Sequence, residues 1–258
     1  MPSLIRRAAL AALLVAAPVA PQAQEAPTVA AAADLTFALA EIAAAFEAER
    51  HGRVRLSLGS SGNIARQIEQ GAPYQMFLSA DEGFVFRLAD RGLTRDRGHL
   101  YAIGRIVVFV PSHSDLQPDG TLADLGEAIR GKRLRRFAIA NPEHAPYGVA
   151  AMQALRRQGL WEAIRPALVL GENVSQAAQF AVTGNSQGGI IAYSLALAPA
   201  IRPLGRFALI PEDWHEPLRQ RMVLLRNAGP VAERFYAYMQ EQPARGIMVR
   251  HGFVLPGD

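Results

Sequence analysis

An α/β class built largely of parallel strands is predicted by three observations. Short apolar runs rich in Val, Ile and Phe alternate with amphipathic stretches of 8 to 15 residues. Most strand-to-helix joints carry a glycine or a small polar residue, as βαβ units require. A continuous apolar run from Tyr101 to Val110 divides the alternation into two halves and is long enough to cross from one lobe to another.

Taken in order, 28–33 reads as a short strand, and Asp34 stands before a helical pattern made by Leu35, Leu39, Ile42 and Phe46. Strand 53–58 runs into the turn Gly59-Ser-Ser-Gly62, and a helix over 63–70 follows. Strand 75–79 ends at Ala80-Asp81-Glu82, whose acids suit the positive end of a helix running through Leu88. After the crossing run, Pro118 to Gly120 forms a turn, then helix 121–130 leads to strand 135–140. The loop Asn141-Pro-Glu-His-Ala-Pro-Tyr147-Gly precedes a helix over 148–158, which Gly159 ends. Strand 167–170, the turn Gly171-Glu-Asn-Val174, helix 175–184 and strand 189–193 come next. A strand over 219–225 and two helices around 230–240 and 243–251 close the chain.

Asp34, Ser60-Ser61, Tyr147-Gly148 and Val174-Ser175 therefore all stand where a strand gives way to a helix, two before the crossing and two after it. In open α/β sheets ligands bind beyond the carboxyl ends of the strands. The free N–H groups of a first helical turn favour anions there. The turn 59–62 contains neither Lys nor Arg, so an anion at this place would be held by neutral dipoles.

Bulk properties narrow the function classes. Arg6-Arg7 followed by ten residues of Ala, Leu and Val reads as a secretory signal peptide over 1–23, too short for a bilayer span. With no cysteine, roughly 230 exported residues must be held together by apolar cores alone. The formal charge of +4 falls to +2 once the two signal arginines are removed, which argues against nucleic acid and charged membrane surfaces as partners. The six histidines show no metal-ligand spacing, and structural places on loops or the surface are expected for them, His144 included. Gly184-Asn-Ser186-Gln-Gly188 matches the G-x-S-x-G elbow of serine hydrolases, with Asp213 and His215 or His251 downstream. That motif needs a strand before it and a helix after it, and here the order is reversed.

The motifs together carry a resemblance. Ala31-Ala-Ala-Asp34-Leu-Thr36, Gly59-Ser-Ser61-Gly with Ala65-Arg-Gln-Ile68, Phe77-Leu-Ser-Ala-Asp81, the loop 141–148, Gly171-Glu-Asn-Val174 and Gly189-Ile-Ile-Ala-Tyr193-Ser occur in one order over the whole mature chain. In this the sequence resembles the periplasmic molybdate-binding proteins of ABC importers, in the branch with a tyrosine in the loop before the fifth long helix. The resemblance implies a two-lobed Venus-flytrap with hinge strands, lobe I over 27–103 plus 219–258 and lobe II over 104–218. It implies a monomeric, non-enzymatic binder of molybdate or tungstate that serves an ABC permease and needs no cofactor. Its ligand contacts fall on Asp34, Ser61, Tyr147 and Val174. The tyrosine of the enterobacterial type falls on Ala192, beside Tyr193, so Tyr147 is the expected replacement.

Asp34 departs from the family, which usually has Ser or Asn there. A carboxylate about 4 Å from a unit charge costs roughly 4 kcal/mol at an effective dielectric of 20, and about twice that against a dianion. The expectation is that the side chain turns away from the ligand, caps helix 35–48 and has a depressed pKa. A protonated Asp34, or a different oxyanion such as monoprotonated phosphate or phosphite, are the alternatives; a Ser186 hydrolase is the alternative from another class.

Overall fold

The computed structural model describes residues 26–184 and 186–257. The expected signal peptide, 1–23, lies outside the described residues. The first unit of structure is βαβ: β1 (Thr28–Ala32), a 3-10 turn (Ala33–Leu35), α1 (Thr36–Ala48), β2 (Arg55–Gly59), α2 (Ser61–Glu69) and β3 (Met76–Ser79). Next come α3 (Glu82–Asp90), β4 (His99–Gly104) and β5 (Ile106–Pro111). A second unit follows with α4 (Ala123–Arg130), β6 (Phe137–Ala140), α5 (Pro146–Arg157), α6 (Trp161–Ile164), β7 (Leu168–Gly171), α7 (Val174–Val182) and β8 (Gly189–Ala192). The chain ends with α8 (Tyr193–Leu197), β9 (Gly205–Leu209), β10 (Leu218–Leu224), α9 (Pro230–Tyr238) and α10 (Gln242–Arg250).

Two five-stranded sheets result, in the orders β2-β1-β3-β10-β4 and β7-β6-β8-β5-β9. The apolar run at 101–110 supplies an edge strand of the first sheet and an inner strand of the second, so it does cross between lobes. The return crossing runs from β9 to β10, which pairs antiparallel with β3 and β4. Parallel pairing of β1 with β2 and β3, and of β6 with β7 and β8, brings the carboxyl ends of these strands to the edge facing the other lobe.

Each sheet is packed between helices. Leu35, Leu39, Ile42 and Phe46 on one face of α1 are fully buried against Phe235, Tyr238 and Met248, so the apolar stripe read from the sequence is the core-facing one. Phe46 meets Phe235 and Tyr238 edge-on at 5.0 and 5.4 Å. The second lobe's core gathers Phe109, Phe137, Ile139, Leu155 and Ile191. Strand β9 and the short helices α6 and α8 have no counterpart in the sequence reading.

Candidate functional site between the lobes

The first turns of three helices and a 3-10 turn converge on one small cavity. It is lined by Ala32, Ala33, Asp34, Gly59, Ser60, Ser61, Ala80, Ala145, Pro146, Tyr147, Asn173 and Val174. Asp34, Ser61, Tyr147 and Val174 thus come together although 140 residues of sequence separate the first from the last. Among the described residues no lysine or arginine lines the cavity, and Asp34 is its one carboxylic acid.

Three helices begin earlier than their sequence patterns suggest. Ser60 is the extended N-cap of α2, so Ser61 and Gly62 already lie in the first helical turn. Pro146 opens α5, putting Tyr147 in the first turn, and Asn173 caps α7 by accepting the N–H of Gln176 at 3.0 Å, which puts Val174 there too. Pro at the first helical position gives up an N–H that had no partner anyway. The N–H groups of Ser61, Tyr147 and Val174 head their helices, where no preceding turn offers a carbonyl.

Ser61 is fully buried, and its Oγ accepts the N–H of Ala80 at 3.0 Å. That contact uses one lone pair and leaves the hydroxyl proton free to donate. Beside it, Ser60 Oγ lies 3.0 Å from His144 Nδ1, and His144 Nε2 stands 3.6 Å from Glu172. The N–H of Gly62 donates to the His144 carbonyl at 3.0 Å, and Asn63 donates to Glu172. These bonds run between α2 of one lobe and the starts of α5 and α7 of the other, so the cleft is closed. A Cβ at Gly62 would stand 2.6 Å from the His144 oxygen, which is why the approach needs glycine.

Asp34 behaves otherwise than expected. It does not cap α1: it sits inside the 3-10 turn Ala33–Leu35, and no side-chain cap bond is made there. Its Oδ2 accepts from Tyr147 Oη at 2.9 Å and from Gln220 Nε2 at 2.7 Å, while Oδ1 is buried with no partner among the described residues. Tyr101 Oη donates to Gln220 Oε1 at 2.7 Å and so fixes which way the amide points. Burial pushes the Asp34 carboxyl up to about 6, although Gln220, Tyr147 and its own backbone N–H hold it down in part. The expected depressed value is therefore reversed. Because Asp34 follows the first residue of the 3-10 turn, its side chain faces inward, where the donors are neutral and no cation compensates the loss of water.

The Tyr147 phenol reaches Asp34 through a gap that Gly104 leaves, for a Cβ there would lie 2.3 Å from Oη. Burial and the nearby Asp34 hold that phenol well above its ordinary range, so it remains a donor. Ser194 Oγ donates to the Asp34 carbonyl at 2.8 Å, a further bond from the second lobe to the first. Gln220 and Ser194 are the neighbours that the sequence reading did not assign to the site. A glutamine inside the run 219–225 was the available signal, since a fully buried amide in a strand must find partners. Ala192 is fully buried in β8, and Tyr193 packs edge-on against Phe207 at 5.8 Å.

A match to the family model described as bacterial extracellular solute-binding protein spans residues 27–254. This chain belongs to that family. A molybdate-binding protein of Azotobacter vinelandii is 34% identical over 230 residues, covering 88% of this chain and 89% of the relative. A molybdate-binding protein of Rhodobacter capsulatus is 31% identical over 256 residues, 98% of each chain. The solved Azotobacter vinelandii periplasmic molybdate-binding protein matches the fold with a TM-score of 0.80 at 30% identity, over 89% of this chain and 99% of that one. The sulfate-binding protein SubI of Mycobacterium tuberculosis shares the fold at a TM-score of 0.72 and 16% identity, over 91% of this chain and 88% of that one.

The remaining motifs fall elsewhere. Asp81 caps α3 through Gly83 N at 2.7 Å, as its place before a helix suggests, and Glu82 pairs with Arg219 and Arg221. Ser186 follows α7 and precedes β8, the reverse of a nucleophile elbow, and its buried Oγ has no partner among the described residues. His251 is paired with Glu41, and His215 Nδ1 lies 2.7 Å from its neighbour's carbonyl, so neither serves Ser186. His215 lies in the loop before β10, as a loop place was expected for it, and is buried there. No cluster of three or more potential metal ligands occurs among the described residues.

Proposed function

We propose that this protein captures molybdate, and tungstate as well, in the periplasm and delivers it to an ABC permease. The observation that carries this reading is the closed, cation-free cavity at which the first turns of three helices and a 3-10 turn meet. Such a place suits an anion stripped of water and held by dipoles. Relatives named as molybdate-binding proteins at 31–34% identity support the choice of oxyanion.

The contacts we assign are the Ser61 hydroxyl and N–H, the N–H groups of Tyr147 and Val174, and Asp34. The Tyr147 phenol is engaged by Asp34, which leaves the backbone as its contribution. Sulfate would be disfavoured because it is smaller than the space the donors define. The lobes we take as 27–103 with 219–258, and 104–218; hinge closure between them traps the ligand. Both walls come from one chain, so a monomer suffices. The pair Arg6-Arg7 before an apolar run supports export.

Ligand that binds only the native state raises stability by RT ln(1 + [L]/Kd), about 2.7 kcal/mol at a hundredfold excess over Kd. Molybdate and tungstate should therefore each raise the melting temperature of the mature protein, while sulfate leaves it in place. A melting curve unmoved by either metal oxyanion at millimolar concentration overturns the reading.

A further inference from the structure

We infer that Asp34 makes this a proton-coupled oxyanion site: each anion is taken up with one proton, shared between Asp34 Oδ1 and an anion oxygen. This rests on the binding reading above and specifies its ligand as an anion plus a proton.

Of the two carboxyl oxygens, Oδ2 is saturated by Tyr147 and Gln220, whereas Oδ1 is buried and has no partner among the described residues, and Asp34 is one of the residues that line the ligand cavity. A buried polar atom without a partner is costly unless something bonds to it. An ionised Oδ1 can only accept, and an oxyanion without protons offers only acceptors, so the two repel. One proton between them turns that repulsion into a charge-assisted O–H···O bond, among the strongest available to a protein. The same proton lowers the net charge that must be buried.

Nothing else near Asp34 can take over this role. Among the titratable groups packed against it, Tyr147 from α5 and Tyr101 from β4 are both held well above the ordinary phenol range and stay neutral. From β10 comes Gln220, from α8 Ser194, from the start of α2 Ser60 and Ser61, and from the start of α7 Asn173 and Val174, all uncharged. His144 and Glu172 are the nearest ionisable pair; they meet Ser60 and Asn63 at the cleft rather than Asp34.

With a midpoint near 6, Asp34 holds its proton below that pH and must take one up to bind above it, so affinity weakens by about tenfold per pH unit above 7. Asp34→Asn keeps an acceptor for Tyr147 and Gln220 and turns a permanent N–H donor toward the cavity. It should bind molybdate with affinity that varies less than threefold between pH 6 and 8, and more tightly than the parent at pH 8.

The test is titration calorimetry of the mature protein with molybdate and tungstate at pH 6, 7 and 8, with the pH 8 runs repeated in buffers of different ionisation enthalpy. Close to one proton taken up per anion at pH 8, with the pH dependence abolished in Asp34→Asn, is the expected result. Tight binding with no proton uptake, or a pH dependence that persists in the Asn variant and so belongs to His144 or another group, overturns the proposal and leaves the oxyanion reading standing. Absence of binding at all three pH values overturns both. Proton uptake is read on the unaltered protein, so a poorly folding variant does not blunt the result.

Discussion

Ser61 and Ser186 both lie in glycine-flanked turns and both are buried, yet the structure treats them in opposite ways. Ser61 comes after strand β2 and opens helix α2; Ser186 comes after helix α7 and leads into strand β8. At Ser61 the helix offers its N–H groups, and the side chain is anchored by the Ala80 N–H with a proton left over. At Ser186 a helix has ended instead of begun, and the hydroxyl finds no partner among the described residues. Composition alone makes the two turns look alike. The order of the flanking elements decides which can seat an anion, because it sets the sign of the helix end that faces the turn.

The sharpest way to break this comparison is Ser61→Ala. If the hydroxyl donates to the anion, its loss removes a bond to a charged group, about 1.5–3 kcal/mol, or 10- to 150-fold in molybdate affinity. It also strands the Ala80 N–H, so the unliganded protein should melt several degrees lower. Titration calorimetry and a melting curve check the two parts separately. Unchanged affinity with a lowered melting point would make Ser61 a purely structural anchor.

A smaller effect is expected from Gly62→Ala, which attacks closure rather than donation. The added methyl group would sit 2.6 Å from the His144 carbonyl oxygen and force the α2 and α5 starts apart. The Gly62–His144 bond and the Ser60–His144 contact would loosen, together about 1–2 kcal/mol, so affinity should fall roughly tenfold. Small-angle scattering should show the liganded variant more open than the liganded parent. An equally compact, equally tight variant would mean that the cleft bonds at His144 contribute nothing to closure.

The same contrast explains what was legible in the sequence. The alternation of strands and helices, the crossing run at 101–110 and the four helix starts are local patterns, and each is present in the fold within a few residues. What stayed hidden depends on partners far away in the chain. Gln220 is 186 residues from Asp34, and His144 is 84 from Ser60, so neither contact leaves a periodic trace. Asp34 shows the limit most clearly. Its place before Leu35 reads as a helix cap, but a 3-10 turn intervenes, and the side chain is claimed by Gln220 and Tyr147. Rules of local capping cannot foresee a donor pair delivered by two distant elements.

Ser186→Ala is the quiet arm of the comparison, with the smallest expected effect. Replacing a buried hydroxyl that has no partner by a methyl group removes an unmet hydrogen-bonding demand without opening a cavity larger than one oxygen atom. Stability should stay level or rise by up to about 1 kcal/mol, and molybdate affinity should match the parent within error. The arginines beside it, Arg133, Arg135 and Arg136, line a separate open groove of the second lobe, whose lining shares no residue with that of the cavity between the lobes. Calorimetry beside a melting curve reads both quantities on one preparation. Should Ser186→Ala weaken molybdate binding as much as Ser61→Ala does, the order of strand and helix would no longer account for where the anion sits.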